Sequence, residues 1–399
     1  MFGTLDDRAT FFRKRIRANL MFWSKDQVDT IEAVELPDLE WPNLVRAIQF
    51  GLDVPEARSE AGWLAISHFD VMERRAGWRE WARVLERAVR ATPVDRVLQC
   101  RLRDHLGQCL RLDGRYRTAL EQSQAAEDLA LTTGDARLVA RTRANISEAH
   151  RCLRQYDEAE RIGGLALATL RAQPDQRRGL LSILNTLGQV AAAVGRYDQA
   201  ESQLREGVDL AEALGHPLYV VRLLYNLANA LAAAGRADEA LACFDRALER
   251  LPTSGPTLLD RTNIGLSKGT LFFQLGDLAR AEAVFRRLDP DALRAAGFWS
   301  HAAFVANNLG NVLQAQGHFE AAEASLRDAV ALLRDLEDPV ELANALGVVG
   351  EVVAAQGRRA EAEPCWREAI ALLEPYPADV RAQRLLAGAR RNLAAGART

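Results

Sequence analysis

The chain returns to the same turn signature about every 40 residues, and that period limits what it can fold into. Two copies are clearest: Leu187-Gly188 followed by Gly195-Arg196-Tyr197 and Ala200, and Leu309-Gly310 followed by Gly317-His318-Phe319 and Ala322. Weaker copies centre on Gly114, Arg154, Gly235, Gly276 and Gly357, and a degenerate first copy centres on Ala76. Successive centres lie 38, 40, 41, 40, 41, 41 and 40 residues apart. A fixed period of this size marks a helical solenoid, in which each unit buries its apolar face only against its neighbours. Such proteins bind other molecules far more often than they catalyse.

Inside one unit, Leu184, Leu187, Val190 and Ala191 recur at helical spacing, and so do Ala200, Leu204, Val208 and Ala211 after the turn. Gly195 ends the first helix because a residue without a Cβ tolerates the left-handed conformation there. Gly188 and Ala200 are small, which predicts a close approach of the two helices. This pattern of Leu-Gly, Gly-x-Tyr and Ala resembles the tetratricopeptide repeat. The resemblance spans residues 60 to 375. It implies an all-α, right-handed superhelix of eight helix pairs over 59–377, with an N-terminal helical cap over 1–58 and a C-terminal capping helix over 378–399. In this fold the first helices of successive units line a concave groove. Because the period exceeds the family's usual value of about 34 residues, each helix should carry nearly an extra turn.

Three places depart from the pattern. In the first copy Trp78 sits at the turn and Trp81 takes the small packing position, and in the third copy Arg154 replaces the turn glycine. In the sixth unit Asp289-Pro290 interrupts the second helix, so that helix should stop near Leu288 with a short helix before Phe298. At the C-terminus Ala382, Leu386, Ala389 and Leu393 form one apolar stripe, with Arg381, Arg384 and Arg391 facing away. That is the layout of a solvating cap.

The N-terminal region holds 11 of the 26 aromatic residues before position 82, which predicts its own packed cap, and residues 5–23 read as a helix. Within it Arg13, Lys14, Arg15 and Arg17 form a basic run, either a solvated helix face or a docking patch for an acidic effector partner. The stretch Leu39 to Leu52, with Gly77-Trp78-Arg79-Glu80-Trp81 after it, resembles the segment joining the nucleotide-binding half of NB-ARC and related STAND regulators to their tetratricopeptide array. No G-x-x-x-x-G-K-[ST] phosphate loop occurs, and no helix-turn-helix segment is recognisable after the array. The chain thus resembles the sensor half of such a regulator, standing alone. The other resemblance is to peptide-pheromone receptors and Rap-like phosphatases, whose activity implies a glutamine or carboxylate on an N-terminal three-helix bundle. No such motif stands out.

A net charge of −3, from 51 basic and 54 acidic residues, argues against nucleic acid as a partner. No apolar run approaches the roughly 18 residues of a membrane span, and Met1 to Asp7 lacks a secretory layout. A cytoplasmic protein without a membrane partner is therefore expected. Cys100, Cys109, Cys152, Cys243 and Cys365 are odd in number and form no C-x-x-C pair, so they are expected as small buried hydrophobes. The six histidines are scattered. His105 with Asp104, near His68, is the one cluster to weigh as a metal or acid–base site, and satisfied polar residues on a helix face explain it better. The expectation is a non-enzymatic chain with no catalytic residue, metal or cofactor.

The binding signal lies on the predicted inner face. Two residues before the glycine position of each unit stand His105, Asn145, Thr186, Asn226, Ser267 and Asn308, and one residue after it stand Gln108, Glu148, Gln189, Asn229, Thr270 and Asn311. Four residues before the first column stand Arg101, Arg141, Ser182, Arg222, Asn263 and Phe304. The solvated wall of a wide groove would look the same. Yet an amide carries both a donor and an acceptor, so a ladder of asparagines can pair with the backbone of an extended peptide whatever its side chains. The arginines would add a preference for carboxylates, which guanidinium binds bidentately. The expected partner is a protein or extended peptide.

Overall fold

The computed structural model describes residues 41–69, 77–92, 94–173, 176–251, 257–334, 336, 338–377 and 380–395. The predicted helix over 5–23, its basic run Arg13, Lys14, Arg15 and Arg17, and the first repeat centre Ala76 lie outside the described residues. Among the described residues there are 19 α-helices, one short 3-10 turn and no strand. They fall into two compact units, Met1–Ala234 and Gly235–Thr399.

The first unit contains α1 (Trp41–Asp53), α2 (Arg58–Ser67), α3 (Trp78–Ala91), α4 (Arg96–Leu112), α5 (Tyr116–Thr133), α6 (Ala136–Cys152), α7 (Tyr156–Arg171), α8 (Arg177–Ala193), α9 (Tyr197–Ala213) and α10 (Pro217–Ala233). The second contains α11 (Ala237–Glu249), α12 (Leu258–Gln274), α13 (Leu278–Arg287), α14 (Pro290–Ala295), α15 (Trp299–Ala315), α16 (Phe319–Arg334), α17 (Pro339–Ala355), α18 (Arg359–Leu373) and α19 (Val380–Ala394). From the second repeat onward the first helices are α4, α6, α8, α10, α12, α15 and α17, each 17 residues long.

The turns share one geometry. At the fourth repeat the N–H of Gly195 donates to the carbonyl of Ala192 at 3.1 Å and that of Arg196 to Ala191 at 2.8 Å. Gly195 sits at φ +79°. These bonds satisfy carbonyls that the end of α8 would otherwise leave bare. The third repeat closes identically, with Arg154 donating to Arg151 at 3.0 Å and Gln155 to His150 at 2.9 Å. Arg154 adopts φ +60° to do so, alone among the described non-glycine residues. The repeat geometry therefore overrides the local preference of an L residue, which costs about 1–2 kcal/mol in this region.

Close packing within a pair runs between the glycine of the first helix and a residue one turn past the packing alanine. A Cβ on Gly188 would stand 2.5 Å from Leu204, and one on Gly310 would stand 2.5 Å from Leu326. Ala200 and Ala322 are fully buried beside them. The third repeat reverses the arrangement. Ser147 takes the glycine position and Gly163 faces it, so that a Cβ there would meet Ser147 Oγ at 2.7 Å.

The irregular segments fold as their sequences predict. α13 ends at Arg287, Leu288 is extended at ψ 127°, and Asp289 caps α14 by accepting from the N–H groups of Asp291 and Ala292. α19 buries Ala382, Leu386 and Ala389 against α17 and α18, and Arg381, Arg384 and Arg391 are exposed. The misfit at Trp81 also finds its reason. Its fully buried ring stacks on Trp41 of α1 with centroids 4.9 Å apart, so the large side chain fills the space that α1 creates. Cys100, Cys109 and Cys243 are buried, Cys152 and Cys365 are half-buried, and all five are free thiols.

In each unit, first helices of successive repeats touch one another: α4 with α6, α6 with α8 and α8 with α10, then α12 with α15 and α15 with α17. Among the described residues, successive second helices such as α5 and α7, or α16 and α18, make at most marginal contact. A stack whose first-helix layer is the tighter one curves toward that layer. The exposed sides of the first helices therefore form the inner face of each unit.

Candidate functional site

In the first unit the inner face is held together by side chains that bridge successive first helices. Asp104 of α4 is only 1% exposed. Its carboxylate accepts from Nε of Arg141 at 2.8 Å and from Nδ2 of Asn145, both on α6. Arg141 Nη2 also donates to Nε2 of His105 at 2.9 Å. A guanidinium cannot accept, so Nε2 of His105 is the acceptor and its proton rests on Nδ1. Burial pushes the His105 pKa well below its ordinary value, and the charges of Arg141 and Arg101 push the same way. His105 is thus neutral, packed on Phe69 with ring centroids 4.4 Å apart. Arg101 lies over the ring of Trp63 at 5.9 Å. Burial, then the carboxylate of Asp104, pushes the neighbouring Cys100 thiol up to about 12. A buried neutral imidazole and a protonated thiol cannot serve as an accessible base and nucleophile.

The next rungs repeat the theme with other chemistry. Thr186 of α8 donates to Glu148 of α6 at 3.0 Å, and Arg151 grips the same carboxylate with two bonds of 2.8 Å. Arg111 of α4 stands 3.5 Å away. Burial alone would raise the Glu148 pKa, but the bonds and charges of Arg151, with Arg111 and Thr186, outweigh it and hold the carboxyl below its ordinary range. Asn226 of α10 donates to Oδ1 of Asn185 at 2.7 Å. Gln189 reaches the carbonyl of Asn185 at 3.4 Å. His105 and Thr186 are buried, while Arg101, Arg141, Asn145, Glu148, Gln189, Arg222 and Asn226 are half-buried. Six of the predicted residues, namely His105, Arg141, Asn145, Glu148, Thr186 and Asn226, thus bond to side chains of a neighbouring repeat. They link repeats.

Other predicted residues are left over. Gln108 on α4 and Asn229 on α10 are half-buried and bond to no other described side chain or backbone group. In the second unit the same holds for Asn308 and Asn311 on α15. There His301 Nε2 lies 3.2 Å from Oδ1 of Asn263 on α12, and Gln314 donates to Glu351 of α17 at 3.3 Å. No group of three or more His, Cys, Asp or Glu side chains placed to hold a metal ion exists among the described residues. No helix among them is long and apolar enough to cross a membrane.

One inner column escaped the sequence reading. Three residues before the glycine position stand Asp104, Asn185, Tyr225 and Asn307. They supply two of the rungs and one buried amide. Helical spacing alone could have found them, because they stand next to the first column and one turn from the second and third.

The chain matches the tetratricopeptide repeat family over residues 138–213, 219–288 and 300–375. No curated protein matches it in sequence. Among solved structures it is similar to a STAND protein with a tetratricopeptide repeat sensor from Pyrococcus horikoshii, with 13% identity, TM-score 0.60, and 86% of this chain and 53% of that one covered. It thus spans about half the length of that protein. It is also similar to the apo quorum sensor NprR from B. thuringiensis, with 15% identity, TM-score 0.57, and 93% and 100% covered. A Rap protein complexed with competence and sporulation factor matches with 14% identity, TM-score 0.54, and 84% and 99% covered. At these identities the likeness is one of fold. With the family's repeats matched over more than half of its residues, and with helix pairs, left-handed turns and glycine contacts recurring in step, the chain belongs to the tetratricopeptide repeat family.

Proposed function

We propose that this chain is a non-enzymatic cytosolic adaptor or sensor that holds a peptide segment or partner protein on its inner face and regulates a separately encoded effector. One observation carries the reading. Half-buried amides at Asn229 in the first unit, and at Asn308 and Asn311 in the second, bond to no other described group. Each can give and take one bond to a peptide backbone. Such bonds are worth about 0.5–1.5 kcal/mol each, so two or more on the same unit's face act together. Arg222 of α10, also half-buried, adds a cation to the first unit's face.

The direct test selects peptides from a displayed random library and maps where the selected peptide slows amide hydrogen exchange. Protection on α10 or α15 supports the reading. Protection confined to the second helices contradicts it.

A second reading, a receptor for a peptide signal or a Rap-like phosphatase, draws on the fold likeness to a quorum sensor and to a Rap protein bound to competence and sporulation factor. It predicts that the bound peptide changes the chain's grip on an effector protein. An effector affinity indifferent to the peptide would exclude it.

A further inference from the structure

The second unit contains two local costs that its fold does not explain, and they fall at the same position of successive repeats. Asn307 on α15 is 7% exposed, and its Oδ1 is buried without a hydrogen-bond partner. Buried polar atoms are rarely left unpaired. Gly347 takes the same repeat position on α17, 40 residues on. It sits inside a helix with ordinary backbone angles, and a Cβ there would meet no atom within 4 Å. Glycine weakens a helix interior and is normally kept for close contact or a left-handed turn. Neither applies here, since the ground over Gly347 is open. Beneath it the indole of Trp366 donates to the Gly347 carbonyl at 3.2 Å, which fixes that backbone in place. Local rules broken without structural gain point to function.

The surroundings set the chemistry. α15 contains no charged residue in its 17 positions. The amides of Asn308 and Asn311, which bond to no other described group, stand next to Asn307 and one turn beyond it, and half-buried Phe304 stands one turn before. The charged residues of α17 are Glu341 and Glu351. Arg381 pairs with the first, and Asn392 and Gln314 donate to the second. A carboxylate-bearing ligand finds no cation on α15 or α17, and a cationic one finds Glu341 neutralised by Arg381 and only Glu351, held by two neutral amides, to pair with.

We propose that the α15–α17 face of the second unit binds an uncharged stretch of extended polypeptide. Asn308 and Asn311 pair with its backbone amides, and the open ground over Gly347 takes one of its side chains. This inference rests on the peptide-binding reading above, and it names the surface and the peptide class.

The test uses the full chain and three pools of short, end-capped, fluorescent peptides with neutral polar, acidic or basic composition. Fluorescence anisotropy reports binding at low salt and at about 0.5 M salt, where exposed charges are screened. The neutral pool should bind best, with less than about a twofold change across that range. Gly347→Phe should fill the open ground and weaken neutral-pool binding at least about tenfold. Gly347→Ala, a milder filling, should weaken it less while raising the melting temperature, which keeps the test independent of whether phenylalanine is tolerated. Neutral-pool affinity unchanged in a folded Gly347→Phe protein overturns the proposal. So does preferred, salt-sensitive binding of the acidic or basic pool that Gly347→Phe leaves intact, although peptide binding as such then stands. If no pool binds the folded chain, both readings fail.

Discussion

Asp104 on α4 and Arg141 on α6 are joined at 2.8 Å across two successive repeats, and the carboxylate is buried while the guanidinium side chain is 32% exposed. That asymmetry makes the two deletions unequal. Arg141→Gln strands a buried carboxylate, which costs about 3–5 kcal/mol when no partner remains. The bond from Asn145 places the expected loss at the lower end. Asp104→Asn leaves a cation that still reaches water, so about 1–2 kcal/mol is expected. The double variant should lose less than the sum, with a coupling of about 1–3 kcal/mol. Urea unfolding of the four proteins measures this. Strict additivity would mean that the pair does not bind the repeats together.

His105 gives the fold a pH dependence whose sign is determined. Its folded pKa lies well below the ordinary 6.5 because of burial, Arg141 and Arg101. The unfolded chain therefore binds the proton more readily. The stabilisation is complete above the unfolded pKa and declines as pH falls through it, by up to about 1.4 kcal/mol per pH unit. Lowering pH from about 7.5 to about 5.5 should destabilise the wild type more than His105→Gln. Parallel losses would assign the effect to His68 and His301, whose pKa values burial also lowers.

The left-handed turn at Arg154 predicts a stabilising substitution. Arg154→Gly removes the steric cost at φ +60° while keeping both turn hydrogen bonds. A gain of about 1 kcal/mol is expected, read as a higher urea midpoint. A loss would show that the Arg154 side chain contributes more than its backbone costs.

Two glycines on first helices of the second unit should respond in opposite directions. Gly310→Ala places a Cβ 2.5 Å from Leu326, and overpacking of this kind costs about 1–3 kcal/mol. Gly347→Ala meets nothing within 4 Å and should gain about 0.5–1 kcal/mol from helix propensity. Thermal melts of the two variants check the signs.

The repeat register, the helix break at Asp289-Pro290 and the stripe of α19 were legible because each rests on local chemistry: a turn conformation, a missing N–H, a helical period. Even Arg154 was legible as a misfit, and the structure adds only that the turn persists. The pairing of inner side chains was not. Asp104 meets a partner 37 residues on, Glu148 one 38 on and Asn185 one 41 on. Offsets that vary by a helical turn depend on how two helices slide past each other, which no single repeat encodes. The bonds that the arginine and asparagine columns make within the first unit were therefore not legible. The basic run Arg13, Lys14, Arg15 and Arg17 lies outside the described residues.

The central claim is that inner-face amides left unpaired by the fold carry partner affinity. The decisive measurement is the affinity of a library-selected peptide for the wild type and for the Asn229→Ala, Asn308→Ala, Asn311→Ala variant, with a thermal melt of each. These half-buried amides bond to no other described group, so their removal should leave the melt nearly unchanged. Affinity should fall at least about tenfold, or 1.4 kcal/mol. An intact fold with unchanged affinity would contradict the account.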